Sequence, residues 1–313
     1  MKIFTNLDNA EHIQATVIAL GNFDGVHMGH RDLIRQAVNY AKDSGLRAAV
    51  FTFSNHPREL ISGDRVQNIT PSYEKAAIIK KLGVDYIFNV EFTEEIHMMS
   101  PEDFINKILI EKMRMRHAFC GFNYRFGFQA AGTSQILYDM GAASGFGVNI
   151  LDPYKIEGHV VSSSLIRKLV ADGRVEECEK YLGRHYAESG TVQLGNKIGK
   201  SFGFPTCNTY PCECMITPPN GVYITFCIHD GVRYPAITNI GVKPTIGDDY
   251  RKNMETHIFN FNKEVYGETV RIEFIKKMRD EIKFGTREEL IAQIESDSAE
   301  ALEYHRNTEN IIE

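Results

Sequence analysis

One short stretch near the N-terminus constrains the fold more than any other part of this sequence. The apolar run from Val17 to Leu20 leads into a glycine-bearing turn, Gly21 to Gly29. The next segment, Arg31 to Asp43, carries apolar residues at helical spacing. The turn therefore lies where a strand passes into a helix. Because the first N–H groups of a helix lack partners and the helix dipole is positive at this end, such a junction favours an anion.

The turn contains the pattern His-x-Gly-His, in which His27 and His30 flank Gly29. Two imidazole donors on either side of a residue without a side chain can reach one phosphate. A lone histidine here would more simply be a surface residue of a glycine-rich turn. The whole string Gly-Asn-Phe-Asp-Gly-Val-His-x-Gly-His stands between strand and helix, however, and therefore predicts a nucleotide site. We expect His27 and His30 to be catalytic, and the residues expected to contact the nucleotide are Gly21, Asn22, Phe23, Asp24 and Gly29.

The order of strands and helices predicts an α/β protein with two domains. Up to about residue 184, β-rich runs alternate with helical segments, which indicates a Rossmann-like parallel sheet with helices on both faces. From Tyr186 onward, short β-rich runs separated by turns indicate a small antiparallel β-barrel. The segment Thr286 to Arg306 is amphipathic, and we expect it to pack on the barrel as a C-terminal helix. The expected domains are residues 1–184 and 185–313.

Length and charge narrow the classes of function. The chain has 313 residues, enough for two domains, and its net charge of −6 gives no general electrostatic support for binding nucleic acid. Residues 1–8 lack the apolar region of a signal peptide, and no apolar run is long enough to span a membrane. We therefore expect a cytoplasmic protein that acts on small molecules, without a membrane, a nucleic acid or an obligate protein partner.

The cysteines do not form the framework of a metal site or of a disulfide scaffold. The sequence has no Cys-x-x-Cys pair, and Cys212-Glu213-Cys214 has the wrong spacing for zinc. We expect reduced thiols that mostly serve packing. The six positions are Cys120, Cys178, Cys207, Cys212, Cys214 and Cys227.

Further polar residues follow the ends of strands predicted in the first domain. Asn55 and His56 follow one strand, and Asn123 follows another. Because ligands of parallel sheets gather at the carboxyl ends of the strands, we expect these residues to converge with the two histidines on one edge.

A serine cluster precedes the next predicted helix. Ser162, Ser163 and Ser164 can cap that helix, and Arg167 lies one turn farther in. Hydroxyls, free N–H groups and a guanidinium at a helix start can also hold a departing pyrophosphate.

A second constellation lies in the β-rich part of the chain. The segment Gly195 to Ser201 is one residue short of a Walker P-loop, and the Phe-Gly-Phe-Pro that follows cannot open a helix. We therefore reject a P-loop. Phosphate binding through backbone N–H groups and cations is still physically reasonable here. The residues expected to provide it are Gly195, Lys197, Gly199 and Lys200.

Two sets of motifs resemble one family. The string Gly21 to His30 is similar to the signature of the HxGH nucleotidyltransferase superfamily. Two later strings resemble motifs of riboflavin kinases, namely Gly203-Phe204-Pro205-Thr206-Cys207-Asn208 and Glu255-Thr256-His257-Ile258-Phe259. From about residue 15 to about residue 305, the chain resembles the prokaryotic bifunctional riboflavin kinase/FMN adenylyltransferases. The resemblance implies that the C-terminal domain converts riboflavin to FMN with ATP and Mg²⁺. It also implies that the N-terminal domain adenylylates FMN to FAD and releases pyrophosphate.

The same resemblance implies roles for individual residues. Glu255 would take the proton from the ribityl 5′-hydroxyl, while Thr206 and Asn208 would bind Mg²⁺ and the nucleotide phosphates. The residues that would contact flavin are Asn123 and Arg125 in the first domain, and Phe204 and Pro205 in the second. The residues that would bind nucleotide phosphates in the first domain are His56, Ser162, Ser163, Ser164 and Arg167.

Three alternatives stay open at this point. The loop Phe128 to Thr133, together with Ser164, Cys207 and Asn260, departs from the family pattern, so the chain could retain only one activity. Of the two activities, the altered loop calls the adenylyltransferase activity of the N-terminal domain into question. An adenylyltransferase with another acceptor is a second alternative, although the kinase-like half argues against it. The third is a flavin-binding regulator without turnover, against which the intact histidine and glutamate motifs argue.

Overall fold

Two units make up the chain, Met1–Ser163 and Ser164–Glu313. The computed structural model describes residues 1–10, 12–63, 66–194, 203–244 and 250–309. The division at Ser163 falls before two helices, whereas the expected boundary after residue 184 follows them. Each unit is built on one six-stranded sheet.

The sheet of the first unit is parallel throughout. Its strands are β1 (Lys2–Phe4), β2 (Thr16–Leu20), β3 (Arg47–Phe53), β4 (Tyr86–Val90), β5 (Met115–Gly121) and β6 (Gly147–Leu151). They lie in the order β1-β4-β3-β2-β5-β6, and every neighbouring pair is parallel. Strand β2 is therefore central, and all five of its residues are buried.

Helices cover both faces of this sheet, as the sequence predicts. They are α1 (Met28–Asp43), α2 (Pro57–Ser62), α3 (Ser72–Lys80), α4 (Glu94–His97), α5 (Pro101–Asp103) and α6 (Ser134–Ser144). Val17 and Ala19 of β2 belong to one core with apolar residues of α1 and α3. The alternate residues Ile18 and Leu20 belong to a second core with Leu137 of α6. A parallel sheet with helices on both sides requires its central strands to bury both faces, as β2 does.

One helix of the first unit departs from regular α-helical geometry. The chain continues after α5 as a π-helix, Phe104–Lys112. Its last turn closes with a hydrogen bond from Met113 N to Ile108 O, five residues back. Buried apolar residues recur here at intervals of four to five, namely Phe104, then Ile108 or Leu109, then Met113. This spacing fits the wider turn of a π-helix better than the 3.6 residues per turn of an α-helix.

Short turns and two small hairpins complete the first unit. The 3₁₀ turns are Leu7–Asn9, Asp24–Val26 and Phe128–Ala130. The hairpins pair Arg125–Phe126 with Gly132–Thr133, and Lys155–Ile156 with His159–Val160.

The second unit carries an antiparallel sheet. After α7 (Ser163–Ala171) and α8 (Val175–Leu182), its strands are β7 (Tyr186–Thr191), β8 (Cys207–Thr209), β9 (Gly221–His229), β10 (Val232–Pro244), β11 (Tyr250–Ile258) and β12 (Thr269–Arg279). The order is β7-β12-β9-β10-β11-β8. Beyond β7, Gln193 forms a single bridge with Asn208 of the opposite edge strand. The sheet thus curls into an incomplete barrel, in agreement with the predicted fold class.

The last helix, α9 (Arg287–Glu309), packs on this sheet as the sequence predicts. Ala301 is fully buried in a core with Val222, Ile224 and Phe226 of β9. Within the described residues, none of the helices combines the length and the apolar character needed to cross a lipid bilayer.

The expectation of reduced cysteines is wrong for one pair. Cys212 and Cys214 form a disulfide, and the turn between them brings their Cα atoms to 5.2 Å, within the usual range for such a bond. Sequence reasoning set disulfides aside in favour of reduced thiols and examined the Cys212–Cys214 spacing only for zinc. The other four cysteines are free thiols.

Candidate active sites

The loop after β2 contains residues with side chains whose backbone φ angles are unfavourably positive. Phe23, Gly25 and Val26 have φ values of 53°, 81° and 39° in the turn that leads into α1. A positive φ is uncommon for any residue with a side chain and is a marked outlier for a β-branched one such as Val26. Phe23 and Val26 are fully buried, so packing holds this conformation. Backbone strain of this kind clusters at ligand-binding sites.

Asp24 ties this loop to two other segments. Its carboxylate Oδ1 accepts hydrogen bonds from Ile69 N at 2.9 Å and from Thr70 N at 3.2 Å. Its backbone carbonyl accepts one from Ser163 Oγ at 2.9 Å. The Asp24 side chain, expected to contact the nucleotide, is thus buried and bonded to backbone amides. Ser163, from the predicted serine cluster, is brought to the same loop.

Lys75, which sequence reasoning missed, links the loops after β2 and β3. Its Nζ donates to Phe53 O at 2.7 Å, to Thr52 Oγ1 at 3.0 Å and to Asn22 O at 3.3 Å. Burial lowers the pKa of Lys75 to about 8, against the opposing effect of the nearby Asp24. The available signal was a lysine on the apolar side of α3, where Ala76 and Ile79 are also buried.

The two histidines of the motif lie face to face at the start of α1. Their ring centroids are 3.5 Å apart and the ring planes differ by 16°. His27 is the N-cap of α1, and its Nδ1 accepts a hydrogen bond from His30 N at 3.2 Å. A neutral His27 therefore carries its proton on Nε2, which leaves that atom as a donor.

His30 is held in the neutral form. Its pKa lies well below the ordinary value because of burial first, and then because of His27 and Lys75. The helix dipole at this end also disfavours a positive charge. The pair therefore offers hydrogen-bond donors to an anion, and an arriving phosphate would favour protonation of the rings.

Close approaches explain both glycines singled out in the motif. A Cβ on Gly29 would lie 3.0 Å from Tyr154 Cβ and 3.4 Å from His27 Cε1. A Cβ on Gly21 would lie 2.9 Å from Phe23 Cζ. A side chain at position 21 would displace the Phe23 ring, and one at position 29 would press on Tyr154 while lying in contact with the His27 ring.

The carboxyl ends of β2 and β3 share a small polar cavity. Its lining includes Asn22 and Asp24 from the first loop, Ser54 and Asn55 from the second, and Lys75. The cavity volume is about 20 Å³, enough for one water molecule. Asn55 also exchanges hydrogen bonds with Phe92, at 2.7 and 3.1 Å. Asn55, one of the strand-end residues expected at this edge, thus lines the same cavity as Asn22 of the motif loop.

The remaining residues expected in the first site lie on other elements of the chain. His56 is the N-cap of α2, where its Nδ1 accepts from Arg58 N at 3.2 Å. Asn123 and Arg125 are exposed on the turn after β5, and β5 neighbours β2 in the sheet, with Cys120 opposite Leu20. The serine cluster ends in α7, in which Ser164 and Arg167 follow Ser163.

A second cluster forms between β8 and β11. Asn208 lies directly opposite Glu255 in the antiparallel register. Asn253, two residues before Glu255 and therefore on the same face, donates from Nδ2 to Glu255 Oε1 at 3.1 Å and to Asn208 Oδ1 at 3.4 Å. Asn208 Nδ2 donates in turn to Thr206 O at 3.5 Å. The structure thus brings Thr206, Asn208 and Glu255 together, and it adds Asn253, to which sequence reasoning assigned no role.

His257 holds the neighbouring segment against β11. Its Nδ1 donates to Pro205 O at 2.8 Å, and its ring lies edge-on to Phe204 with centroids 5.5 Å apart. Burial lowers the pKa of His257, and the hydrogen bond to Pro205 opposes this shift. Phe204 and Pro205 therefore lie beside the cluster around Glu255. The four residues of the predicted phosphate loop, Gly195, Lys197, Gly199 and Lys200, lie outside the described residues.

One further group in the described chain has the atoms of a metal site, namely His229, Asp230 and Glu268. His229 Nε2 is in hydrogen-bond contact with the Glu268 carboxylate. The other nitrogen, Nδ1, is buried and has no hydrogen-bond partner among the described residues. A metal-binding imidazole normally donates from its second nitrogen, so we assign no metal to this group.

Comparison with known proteins finds relatives for both parts of the chain. Residues 9–165 match the family model for FAD synthetase, and residues 182–305 match the model for riboflavin kinase. The bifunctional riboflavin kinase/FMN adenylyltransferase of Listeria monocytogenes is 36% identical over 296 residues, which is 94% of both chains. The Bacillus subtilis protein of the same name is 37% identical over 298 residues, which is 93% of both chains.

A solved structure matches the whole chain. The crystal structure titled as a macrolide-efflux protein from Streptococcus pneumoniae superposes with a TM-score of 0.86 at 28% identity. The match covers 95% of this chain and 97% of that one. The two family models and the identities over nearly the full length confirm the resemblance seen in the motifs. The chain belongs to the family of bifunctional riboflavin kinase/FMN adenylyltransferases.

Proposed function

We propose that this chain makes FAD from riboflavin in two ATP-dependent steps, one in each unit. The observation that carries the proposal is the presence of two separate polar constellations. One surrounds His27 and His30 in the part that matches FAD synthetase, and the other surrounds Glu255 in the part that matches riboflavin kinase. The substrates are riboflavin, FMN and ATP, and the products are FMN, FAD, ADP and pyrophosphate.

In the first step, the ribityl 5′-hydroxyl of riboflavin attacks the γ-phosphorus of ATP. Glu255 accepts the hydroxyl proton, a role for which one carboxylate is adequate because positioning and charge neutralisation dominate phosphoryl transfer. Phe204 and Pro205 contact the flavin. Lys197 and Lys200, with the backbone of Gly195 and Gly199, are proposed to hold the phosphates.

The residues near Glu255 fit a magnesium ion. The side chains of Thr206 and Asn208 offer a hydroxyl and an amide oxygen, and hard oxygen ligands are what Mg²⁺ prefers. Asn253 Oδ1 adds a buried oxygen without a hydrogen-bond partner among the described residues. Thr206 and Asn208 would hold the ion, whose charge would neutralise the phosphate oxygens.

In the second step, the phosphate of FMN attacks the α-phosphorus of a second ATP in line, and pyrophosphate leaves. His27 and His30 donate hydrogen bonds to the phosphoryl oxygens, on which negative charge increases in the transition state. Gly21, Asn22, Phe23 and Gly29 keep the loop open to the nucleotide, and Asp24 holds that loop in place through its bonds to backbone amides.

Three further groups are proposed to serve the second step. Asn123 and Arg125 contact the flavin. His56 contacts the nucleotide phosphates. Ser162, Ser163, Ser164 and Arg167 hold the departing pyrophosphate, through hydroxyls and N–H groups at the start of α7.

Chromatography of two incubations tests the proposal. With ATP and Mg²⁺, both a riboflavin tube and an FMN tube should yield FAD. If FMN accumulates from riboflavin and neither tube yields FAD, the first unit has another acceptor or none. If FAD forms from FMN only, the kinase assignment is wrong. The absence of turnover in both tubes would favour a flavin-binding protein.

Single substitutions then separate the two sites. Glu255→Gln should abolish FMN formation while FMN is still converted to FAD. His30→Ala should have the reverse effect. The exposed Glu264→Gln serves as the matched control and should leave both reactions unchanged. Unchanged FAD formation in His30→Ala would contradict the role given to the histidine motif.

A further inference from the structure

Asn253 is the most deeply buried polar residue of the cluster on β11. It is 2% exposed, and it lies opposite Gly241 of β10 in the antiparallel register. Glu255, two residues on, lies between Asn208 of β8 and Asn239 of β10. A Cβ at position 241 would lie 2.7 Å from Glu281 Oε1, so the space beside Gly241 is taken by that carboxylate.

The amide of Asn253 has a defined orientation. A carboxylate only accepts hydrogen bonds, so the atom 3.1 Å from Glu255 Oε1 must be the NH₂ group. The same NH₂ lies 3.4 Å from Asn208 Oδ1. Asn208 Nδ2 is in turn directed at Thr206 O, so contacts at both ends orient the Asn208 amide. One side chain thus contacts both the proposed magnesium ligand and the proposed base.

The remaining atom of Asn253 shows that the residue does not serve packing alone. Its Oδ1 is buried and has no hydrogen-bond partner among the described residues, which costs free energy of desolvation. An apolar side chain would fill the same space without that cost. The unpaired Oδ1 makes Asn253 unfavourable as a packing residue. Its presence is therefore explained by the hydrogen bonds that its NH₂ group donates to Glu255 and Asn208.

We propose that Asn253 is a positioning residue for riboflavin phosphorylation, which orients Asn208 toward the magnesium ion and Glu255 toward the hydroxyl of riboflavin. The inference rests on the proposed function of the second unit. Outer residues that orient metal ligands typically contribute about 10- to 100-fold to metal affinity or activity. Loss of the Asn253 amide should therefore weaken metal binding and slow phosphorylation together.

The test compares Asn253→Ala with the wild-type chain in three measurements. We expect kcat for riboflavin phosphorylation to fall about 10- to 100-fold, with the KM for riboflavin within about twofold. The Mg²⁺ concentration at half-maximal rate should rise. In an activity-free measurement, titration of Mn²⁺ and ADP followed by electron paramagnetic resonance should show weaker binding. Because only the second unit is altered, the difference between the two titrations isolates its site.

Two further variants separate positioning from stability. Thr225→Val removes another buried hydrogen bond of the same sheet, between Thr225 Oγ1 and Thr238 Oγ1. It should lower the melting temperature and leave the metal dependence unchanged. Asn253→Ser keeps one donor and should lie between alanine and wild type, which keeps the proposal testable if the alanine variant folds poorly.

Several results would overturn the inference. One is a kcat within twofold of wild type with unchanged Mn²⁺ binding. Another is a loss of kcat that follows the melting temperature, as in Thr225→Val, while metal binding stays normal. A wild-type chain that phosphorylates no riboflavin would instead refute the proposed function, and the Mn²⁺ titration would still decide whether Asn253 orients a metal site.

Discussion

Glu188 on β7 is a buried carboxyl group with an incomplete set of partners. It is 2% exposed; its Oε2 accepts from Thr217 Oγ1 at 3.2 Å, and its Oε1 has no hydrogen-bond partner in the described part of the chain. Burial raises the pKa of Glu188 from 4.5 to about 8, although Thr217 and the charge of Lys252 oppose the shift. We predict that Glu188→Gln stabilises the protein, and does so more strongly as the pH rises.

The pKa values give the size and direction of this effect. In the folded chain the group stays protonated up to about pH 8, whereas in the unfolded chain it ionises above 4.5. Unfolding therefore becomes more favourable as the pH rises through that window. At about 1.4 kcal/mol per pH unit, the free energy of unfolding falls by about 3 kcal/mol between pH 4.5 and pH 7. Glutamine has no proton to lose, so the variant avoids this loss.

Urea unfolding followed by circular dichroism at pH 5, 6, 7 and 8 measures the effect. The difference in unfolding free energy between Glu188→Gln and wild type should increase steadily across this series, with the largest value at pH 8. The exposed Glu264→Gln should show no such trend. A difference that does not change with pH, or a variant that is less stable throughout, would refute the reasoning. Either result would mean that Glu188 is ionised and paired with Lys252.

Three other substitutions have defined outcomes. Gly29→Ala places a methyl group 3.0 Å from Tyr154 Cβ and 3.4 Å from His27 Cε1. Conversion of FMN to FAD should fall more than about 10-fold, with FMN formation unchanged, as measured by chromatography. Asp297→Ala removes the partner of Arg279, whose Nη2 lies 2.7 Å from Asp297 Oδ2 in a largely buried pair. The free energy of unfolding should fall by about 3–5 kcal/mol in urea titrations. Lys75→Met removes three hydrogen bonds to the loops after β2 and β3 and removes a nearby positive charge from His30. FAD formation should fall, and the pKa of His30 should rise in an NMR titration of the imidazole.

Each of these expectations has a contrary result. Full adenylyltransferase activity in Gly29→Ala would mean that Tyr154 yields without disturbing the histidine motif. An unfolding free energy of Asp297→Ala within about 1 kcal/mol of wild type would show that the guanidinium regains water. If the His30 titration is the same in Lys75→Met, the lysine does not control the charge of the motif.

The sequence was sufficient for most of the architecture because its signals were periodic or local. The apolar residues of β2 and the helical spacing after His30 predict the strand–turn–helix unit, and the structure places α1 at Met28–Asp43. The register between Asn208 and Glu255 was not predictable, but the motifs that contain them marked both as site residues.

Features that depend on distant contacts could not be predicted. Lys75 lies on the apolar side of α3, but its hydrogen-bond acceptors are known only once α3 packs against the loops after β2 and β3. Asn253 lies only two residues before Glu255, but its contact with Asn208, 45 positions away, is not visible in the sequence. The carboxylate of Asp24 was expected at the nucleotide, whereas its partners are backbone amides of residues 69 and 70. In each case the interaction joins segments that only the folded chain brings together.

The bond between Ser163 Oγ and the carbonyl of Asp24 joins residues 139 positions apart. During synthesis, the loop of the histidine motif is made early, but the hydroxyl that fastens it reaches the ribosome exit only after all six strands of the first sheet. Contacts this distant in sequence form slowly, because a long loop must close before they contribute. A nascent chain shorter than 163 residues therefore contains the histidine motif but lacks the hydrogen bond from Ser163 Oγ to the loop. Nucleotide binding by chains arrested at successive lengths would show when this part of the enzyme matures.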